Sequence, residues 1–388
     1  MKTSRIMASM ALAALCAVTP AHALDGETLD IGPAGATDVL TIDASTNTQV
    51  FLGILQDFQA LYPGMRVVYT ELPTQTLYDD ALARRAGRAS ATATATASAT
   101  ALSSTSASAT AAGSPSASVR PSPDLIISSS MDLQTKLVND GYAQPHVSPE
   151  TTALPDWARW RNEVFSIGGE AMTIVYNTHA MTAHDAPRSR QQLLAMLRDP
   201  ARRLQGKIGT YDVAHSGIGY MAATQDARRD SMAGALWAAM GNSAAVVDEY
   251  SDGLLDRIER GELTLGYNVL ESYAQRRIAA GAPLAIVRPD DYTLVVSRVA
   301  LIPRDARRPE LAGRFLDYVL SARGQETMQR ESRMLTVRTD LDAQALTGAM
   351  RPVALGTGLL VYLDDLKRQG FLQAWRGAIG QQSGSAGH

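Results

Sequence analysis

The chain has 388 residues, 45% of them hydrophobic, and its 36 Lys and Arg against 39 Asp and Glu give a formal net charge of −3. That length and apolar content suffice for two lobes with a core each, and the lack of a basic stripe excludes nucleic acid and anionic lipid as partners, because counterion release needs clustered cations. The only cysteine, Cys16, falls inside an N-terminal leader, so the mature chain is expected to have no disulfide, cysteine-ligated zinc or thiolate chemistry.

The leader carries Lys2 and Arg5, an apolar run over 7–18 and the small-residue signal Ala21-His22-Ala23. This pattern predicts a signal peptide over 1–23, cleaved near Ala23, and export to the periplasm. The run is shorter than the roughly 20 residues of a membrane span. Leu15 is too bulky for lipoprotein processing at Cys16.

The mature sequence alternates strand and helix. A strand over 39–42 precedes a helix whose Val50, Ile54, Phe58 and Leu61 form one stripe, ended by Pro63-Gly64; a second strand covers 66–69. Residues 89–118 contain only Ala, Ser, Thr, Leu, Gly and Pro. With so little apolar surface to offset backbone entropy, they are expected to form a disordered insert between a helix ending near Arg88 and a strand starting near Pro123. A buried strand over 124–127 and a helix from about Asp132, stopped by Gly141, complete a parallel sheet flanked by helices.

The same alternation resumes with strands over 173–176, 207–209, 263–267 and 284–287, separated by helices over 191–197, 218–226, 254–260 and 272–280. A strand over 295–302 and one amphipathic helix over 309–329, with Leu311, Phe315, Val319 and Leu320 on a single face, follow.

Three strand ends stop on small hydroxyl residues, at Ser45-Thr46-Asn47, Ser128-Ser129-Ser130 and Thr210-Tyr211-Asp212. In an open α/β sheet such ends form the ligand crevice. Ser45, Thr46, Ser129, Ser130, Ser216 and Gly217 offer hydroxyls and free N–H groups at helix starts, which suits an anion; each serine is equally readable as a helix cap. Glu170, Asp212, His215, Asn268 and Glu271 are placed at the same rim, to meet hydroxyls or an amine on the ligand. The competing role for Glu170 is an ion pair with an arginine such as Arg161 or Arg298. His179 and His184 lack metal-ligand spacing, and Asp290-Asp291 point to opposite faces of a strand. An exported hydrolase is the alternative raised by Ser, His and Asp around 212–216, but there is no G-x-S-x-G elbow, S-x-x-K or P-loop. No cofactor or metal motif appears, and no enzyme is expected.

With Gly209-Thr210-Tyr211-Asp212, Gly261-Glu262-Leu263, Arg288-Pro289-Asp290-Asp291-Tyr292 and Phe315-Leu316-Asp317-Tyr318, in that order, the chain resembles periplasmic solute-binding proteins of ABC transporters, in the branch containing the ferric-ion binders. The resemblance implies an α/β type II fold: two parallel-rich, helix-flanked sheets in two lobes, joined by crossing strands near 171–177 and 292–296. It places residues 24–170 and 296–388 in lobe 1 and 171–295 in lobe 2, with the ligand captured between them by hinge closure. It implies a monomer that serves an inner-membrane ABC permease or, alternatively, a sensor kinase. The ligand class it implies is a small organophosphate, phosphonate or hydroxy-carboxylate. The tyrosine pair of the ferric binders falls here on Val269 and Leu270, and the first-lobe ligands fall near Thr46 or Asn47 and on Ser130 or Met131. Those side chains do not suit a hard trivalent cation, so ferric binding would need atypical ligands.

Overall fold

The structure, a computed structural model, describes residues 26–100, 120–343 and 346–380, with 88–100 described by backbone alone. The leader, with Cys16, and the insert beyond Thr100 lie outside the described residues.

The chain opens with β1 (Thr28–Ile31), β2 (Val39–Ala44), α1 (Thr48–Leu61), β3 (Arg66–Glu71), α2 (Thr74–Thr100), β4 (Leu125–Ser128) and α3 (Met131–Asn139). The short elements β5 (Ala143–Gln144), α4 (Pro149–Thr152) and β6 (Arg159–Trp160) lead into the longest strand, β7 (Val164–Asn177). Then come α5 (Arg190–Arg198), β8 (Ile208–Tyr211), α6 (Gly217–Arg229), α7 (Ala233–Asn242), β9 (Val246–Asp248) and α8 (Ser251–Glu259). They are followed by β10 (Leu265–Leu270), α9 (Glu271–Ala279) and β11 (Leu284–Val287). The last stretch contains β12 (Thr293–Pro303), α10 (Pro309–Leu320), α11 (Ala322–Ser332), β13 (Met350–Pro352) and α12 (Asp365–Ile379).

Neighbouring strands run in the order β1-β3-β2-β4-β12-β7-β10-β8-β9. The pairs β2 with β3, β2 with β4, β10 with β8 and β8 with β9 are parallel. The two long strands β7 and β12 are antiparallel, from Val295 opposite Ala171 to Ala300 opposite Phe165. The far end of β7 pairs with β10 and β11. A parallel set therefore lies on each side of β7, which belongs to both halves of the path. Every residue of β7 and β12 is buried, as expected of strands covered on both faces.

The first half is packed by three of the four residues of the predicted α1 stripe; the fourth, Leu61 at the end of the helix, is 41% exposed. Val50, Ile54 and Phe58 are at most 1% exposed, and the Phe58 ring meets Phe315 of α10 edge-on with centroids 4.9 Å apart. In the second half, buried Arg190 and Asp226 tie α5 to α6. Asp226 accepts bonds from Tyr267 Oη (2.8 Å), Asn268 Nδ2 (2.7 Å), Tyr292 Oη (2.8 Å) and Arg190 Nη2 (3.3 Å).

Three expectations need correction. The helix expected to end near Arg88 continues to Thr100; no Gly or Pro interrupts residues 88–112, and alanine's high helix propensity carries the backbone on without an apolar stripe. The single helix over 309–329 is two, because Ser321 turns extended (ψ 163°) and caps α11 by accepting from Gly324 N. A Cβ at Gly324 would lie 2.0 Å from the Tyr318 carbonyl oxygen, so the joint needs glycine. Finally, the end of the chain, assigned by the resemblance to the first lobe, sets α12 on α7 of the second half, with Trp375 buried in a cluster with Trp237 and Tyr220.

Replacing Asp226 with Ala removes the acceptor of Tyr267, Asn268 and Tyr292 and leaves buried Arg190 with Asp291 as its one carboxylate partner among the described residues. Urea denaturation is expected to show a loss of about 3–5 kcal/mol, the usual cost of breaking a buried pair.

Candidate functional site

The carboxyl ends of β2, β4, β8 and β10, together with the turns after β3 and β9, open onto one cavity of about 760 Å³. Each of these ends is followed by a helix. Asn47 and Ser45 stand before α1, Thr74 and Gln75 begin α2, and Ser129 and Ser130 precede α3. On the other side are Ser216 and Gly217 at α6, Tyr250 and Ser251 at α8, and Leu270 and Tyr273 at α9. Six helix N-termini thus line one space. Each contributes partial positive charge and N–H groups with no partner inside its helix.

Some capping capacity is already used. Asn47 Oδ1 accepts from Gln49 N at 2.9 Å and Ser216 Oγ from Gly219 N at 3.2 Å. Ser130 does not cap α3; its hydroxyl donates to Asp132 Oδ1 at 2.7 Å. Ser45 Oγ donates to Ser128 Oγ at 2.9 Å, which in turn accepts from Ser130 N at 3.1 Å. This chain of hydroxyls cross-links the ends of β2 and β4. Asp132 is buried, and burial pushes its carboxyl pKa up against the pull of the Ser130 hydrogen bond.

The cavity holds two cationic side chains from arginine, Arg298 and Arg368. Arg298 lies on β12 where its register against β7 shifts, an irregularity that re-aims a strand side chain. Only 2% exposed, it donates to Glu170 Oε1 from Nε (3.3 Å) and Nη2 (3.2 Å), and to Tyr273 Oη (3.3 Å). Burial works against its charge, but Tyr273 and Glu170 outweigh it and the pKa rises. Arg298 is a permanent cation.

Of the residues chosen from sequence, Ser45, Ser129, Ser130, His215, Ser216 and Gly217 line this cavity. The other five lie outside its lining, each for a definable reason. Glu170 is held behind the wall by Arg298 and by the Ser272 hydroxyl, the pairing raised as its competing role. Thr46 is fully buried, and its carbonyl accepts from Tyr69 Oη at 2.7 Å. Asp212 accepts from Ala214 N and His215 Nδ1, at 2.9 and 2.8 Å. Asn268, in the left-handed region at φ 61°, turns its amide to Asp226. Glu271 takes a two-pronged bond from Arg288, at 2.7 and 2.8 Å.

Sequence reasoning missed Tyr250, Tyr273, Arg368 and the cavity-facing role of Arg298. A signal existed for the last: Arg298 is the only charged residue between Thr293 and Pro303, a run otherwise fit for a fully buried strand. The two halves also touch at the lip. A Cβ on Gly217 would lie 3.3 Å from Ser130 Oγ and 3.5 Å from Thr74 Cγ2.

The family described as bacterial extracellular solute-binding protein matches residues 39–331. Among solved structures, the substrate-binding protein of an ABC transporter from Agrobacterium tumefaciens is similar, at 29% identity and a TM-score of 0.77, over 91% of this chain and 98% of that one. AfuA of Actinobacillus pleuropneumoniae, solved with fructose-6-phosphate, is 17% identical with a TM-score of 0.66, over 89% and 100% of the two chains. Iron-bound HitA of Pseudomonas aeruginosa is 15% identical with a TM-score of 0.64, over 88% and 99%. The last two likenesses establish the fold, that of the periplasmic binding proteins. Among curated proteins, none matches in sequence.

The Asp212 carboxylate bonded to His215 raises the imidazole pKa above its ordinary 6.5. An NMR titration is expected to place the His215 midpoint above 6.5, and Asp212→Asn to return it to about 6.5. The stability this pair contributes is full below that value and is lost as pH rises through the raised pKa.

Proposed function

The chain belongs to the bacterial extracellular solute-binding proteins, and from that premise we propose that it is the periplasmic binding component of an ABC importer, selective for a small anionic organic solute. Proteins of this family bind and release, so the hydrolase alternative falls. The observation that carries the ligand class is the convergence of six helix N-termini and the buried Arg298 on one cavity. Fixed N–H groups and a guanidinium held by Glu170 form a preorganised anion receptor.

The head of the ligand, a phosphate, phosphonate or carboxylate, would sit against Arg298, the hydroxyls of Ser45 and Ser129 and the start of α6 at Ser216-Gly217. Glu27 and Glu249 in the lining would accept from hydroxyl or amine groups on its tail. A ferric ion is the weaker reading. The resemblance puts Val269 and Leu270 where the tyrosine pair would be, and among the described residues no three His, Cys, Asp or Glu side chains gather to hold a metal.

Capture would proceed by closure of two lobes, 24–170 with 296–343 and 171–295 with α12, about the paired strands β7 and β12. A ligand drives such a motion only by contacting both sides. In that motion Gly217 and Ser130, which lie close across the cavity, would meet at the lip. Delivery to a permease follows from closure, because only the closed pair presents both lobes in one fixed relation.

A thermal-shift panel of organophosphates, phosphonates, hydroxy-carboxylates and ferric citrate tests this reading. A true ligand at about 100 times its Kd stabilises by about 2.7 kcal/mol. Ser216→Glu, which puts a carboxylate into the anion subsite and removes the α6 cap, is expected to leave the protein folded with a melting temperature lowered by the loss of a cap, about 0.5–2 kcal/mol, and to abolish the shift. A shift from ferric citrate alone, or one that survives Ser216→Glu, would overturn the assignment.

A further inference from the structure

We propose that the C-terminal helix α12 supplies a second cationic subsite through Arg368, so that the ligand carries two separated anionic groups, one held at Arg298 and the other at Arg368. This rests on the anion-binding reading above and narrows it to a substrate class.

The path of the chain fixes where Arg368 can be. After β13 pairs with β12, Val353, Leu355 and Leu359 enter the same core cluster as Leu137 and Val138 of α3. The chain then leaves the first half. Tyr220 Oη of α6 donates to the Tyr362 carbonyl, and Arg228 Nη1 to the Gly358 carbonyl at 2.9 Å. Asp364 caps α12 by accepting from Lys367 N at 3.1 Å. The helix is clamped on the second half by Phe371, whose ring lies 5.5 Å from Tyr220, 5.5 Å from Trp237 and 5.3 Å from Tyr362. Arg368, one turn in, is thereby held over the Tyr220 ring at 4.6 Å and lines the cavity.

Its surroundings leave its charge available. Arg298 is committed to Glu170 at 3.2 Å, whereas Arg368 has no carboxylate within 4.0 Å among the described residues. Asp132 of α3, bonded to Ser130, acts on it electrostatically, and Glu27, Glu71, Glu249 and Asp252 share the lining. A half-buried guanidinium set over the Tyr220 ring and hydrogen-bonded to that tyrosine, with no carboxylate partner, suits a carboxylate or phosphate. The two arginines come from different elements, β12 and α12, and are the only Lys or Arg in the lining among the described residues. A ligand charged at both ends could meet each arginine with one anionic group.

The test is calorimetric titration with three matched pairs that differ by one anionic group: 3-phosphoglycerate against glycerol 3-phosphate, L-malate against L-lactate, and phosphonoacetate against methylphosphonate. At least one doubly charged member is expected to bind wild type about tenfold or more tighter than its partner, the worth of one charge-assisted contact. Arg368→Gln is expected to erase that preference while changing the singly charged ligand less than about threefold, and Arg368→Lys to restore part of it. Equal losses on both members would show that Arg368 only balances Asp132, and an unchanged preference would show that it touches no ligand; either overturns the proposal. Ser216→Glu separates the two levels. If it abolishes binding while Arg368→Gln keeps the preference, this inference fails and the anion reading stands. If no ligand of any pair binds wild type, both fail.

Discussion

The ion pair between Arg298 and Glu170 is the constraint on which the rest of the site depends. Glu170 lies on β7 and Arg298 on β12, the two strands that run between the halves, and the same cluster takes in Ser272 and Tyr273 at the start of α9. Burying both charges costs several kcal/mol per ion, and a hydrophobic pair of equal volume would serve stability as well or better. What the pair achieves is position: a permanent cation aimed into the cavity, with its orientation fixed before any ligand arrives. Preorganisation of this kind lowers the ordering cost of binding.

The helix starts work with this charge. A guanidinium gives a strong local field but few directions, whereas the N–H groups of six first turns surround the space from both halves. The serines that tie β2 to β4 hold two of those turns in register, and their hydroxyls remain at the wall. The lining also carries acidic groups, Glu27, Glu71, Asp132, Glu249 and Asp252, which a ligand without donors would leave unsatisfied.

The architecture was legible because each half alternates strand and helix, and because the polar residues at strand ends stand out against apolar strands. Ser45, Ser129, Ser130, Ser216 and Gly217 could be named in this way. Glu170, Asn268 and Glu271 were chosen by the same logic but are turned inward, since a charged or amide side chain beside a strand end looks alike in sequence whether it faces ligand or an internal arginine. Arg368 was beyond such reasoning. Its place depends on α12 crossing to α7, a long-range packing choice made by Trp375 and Phe371 that no local pattern encodes. The break at Ser321 was hidden by an apolar period that continues on both sides of it.

The fourteen buried residues of β7 serve both halves of the sheet path without interruption. A strand cannot slip by one position without exchanging its inner and outer faces, so sliding is forbidden and only bending or twisting is left to it. Its partner β12 is bound by the same rule. Any displacement of one half against the other would therefore have to be taken up as curvature of these two strands, a ribbon with one soft direction.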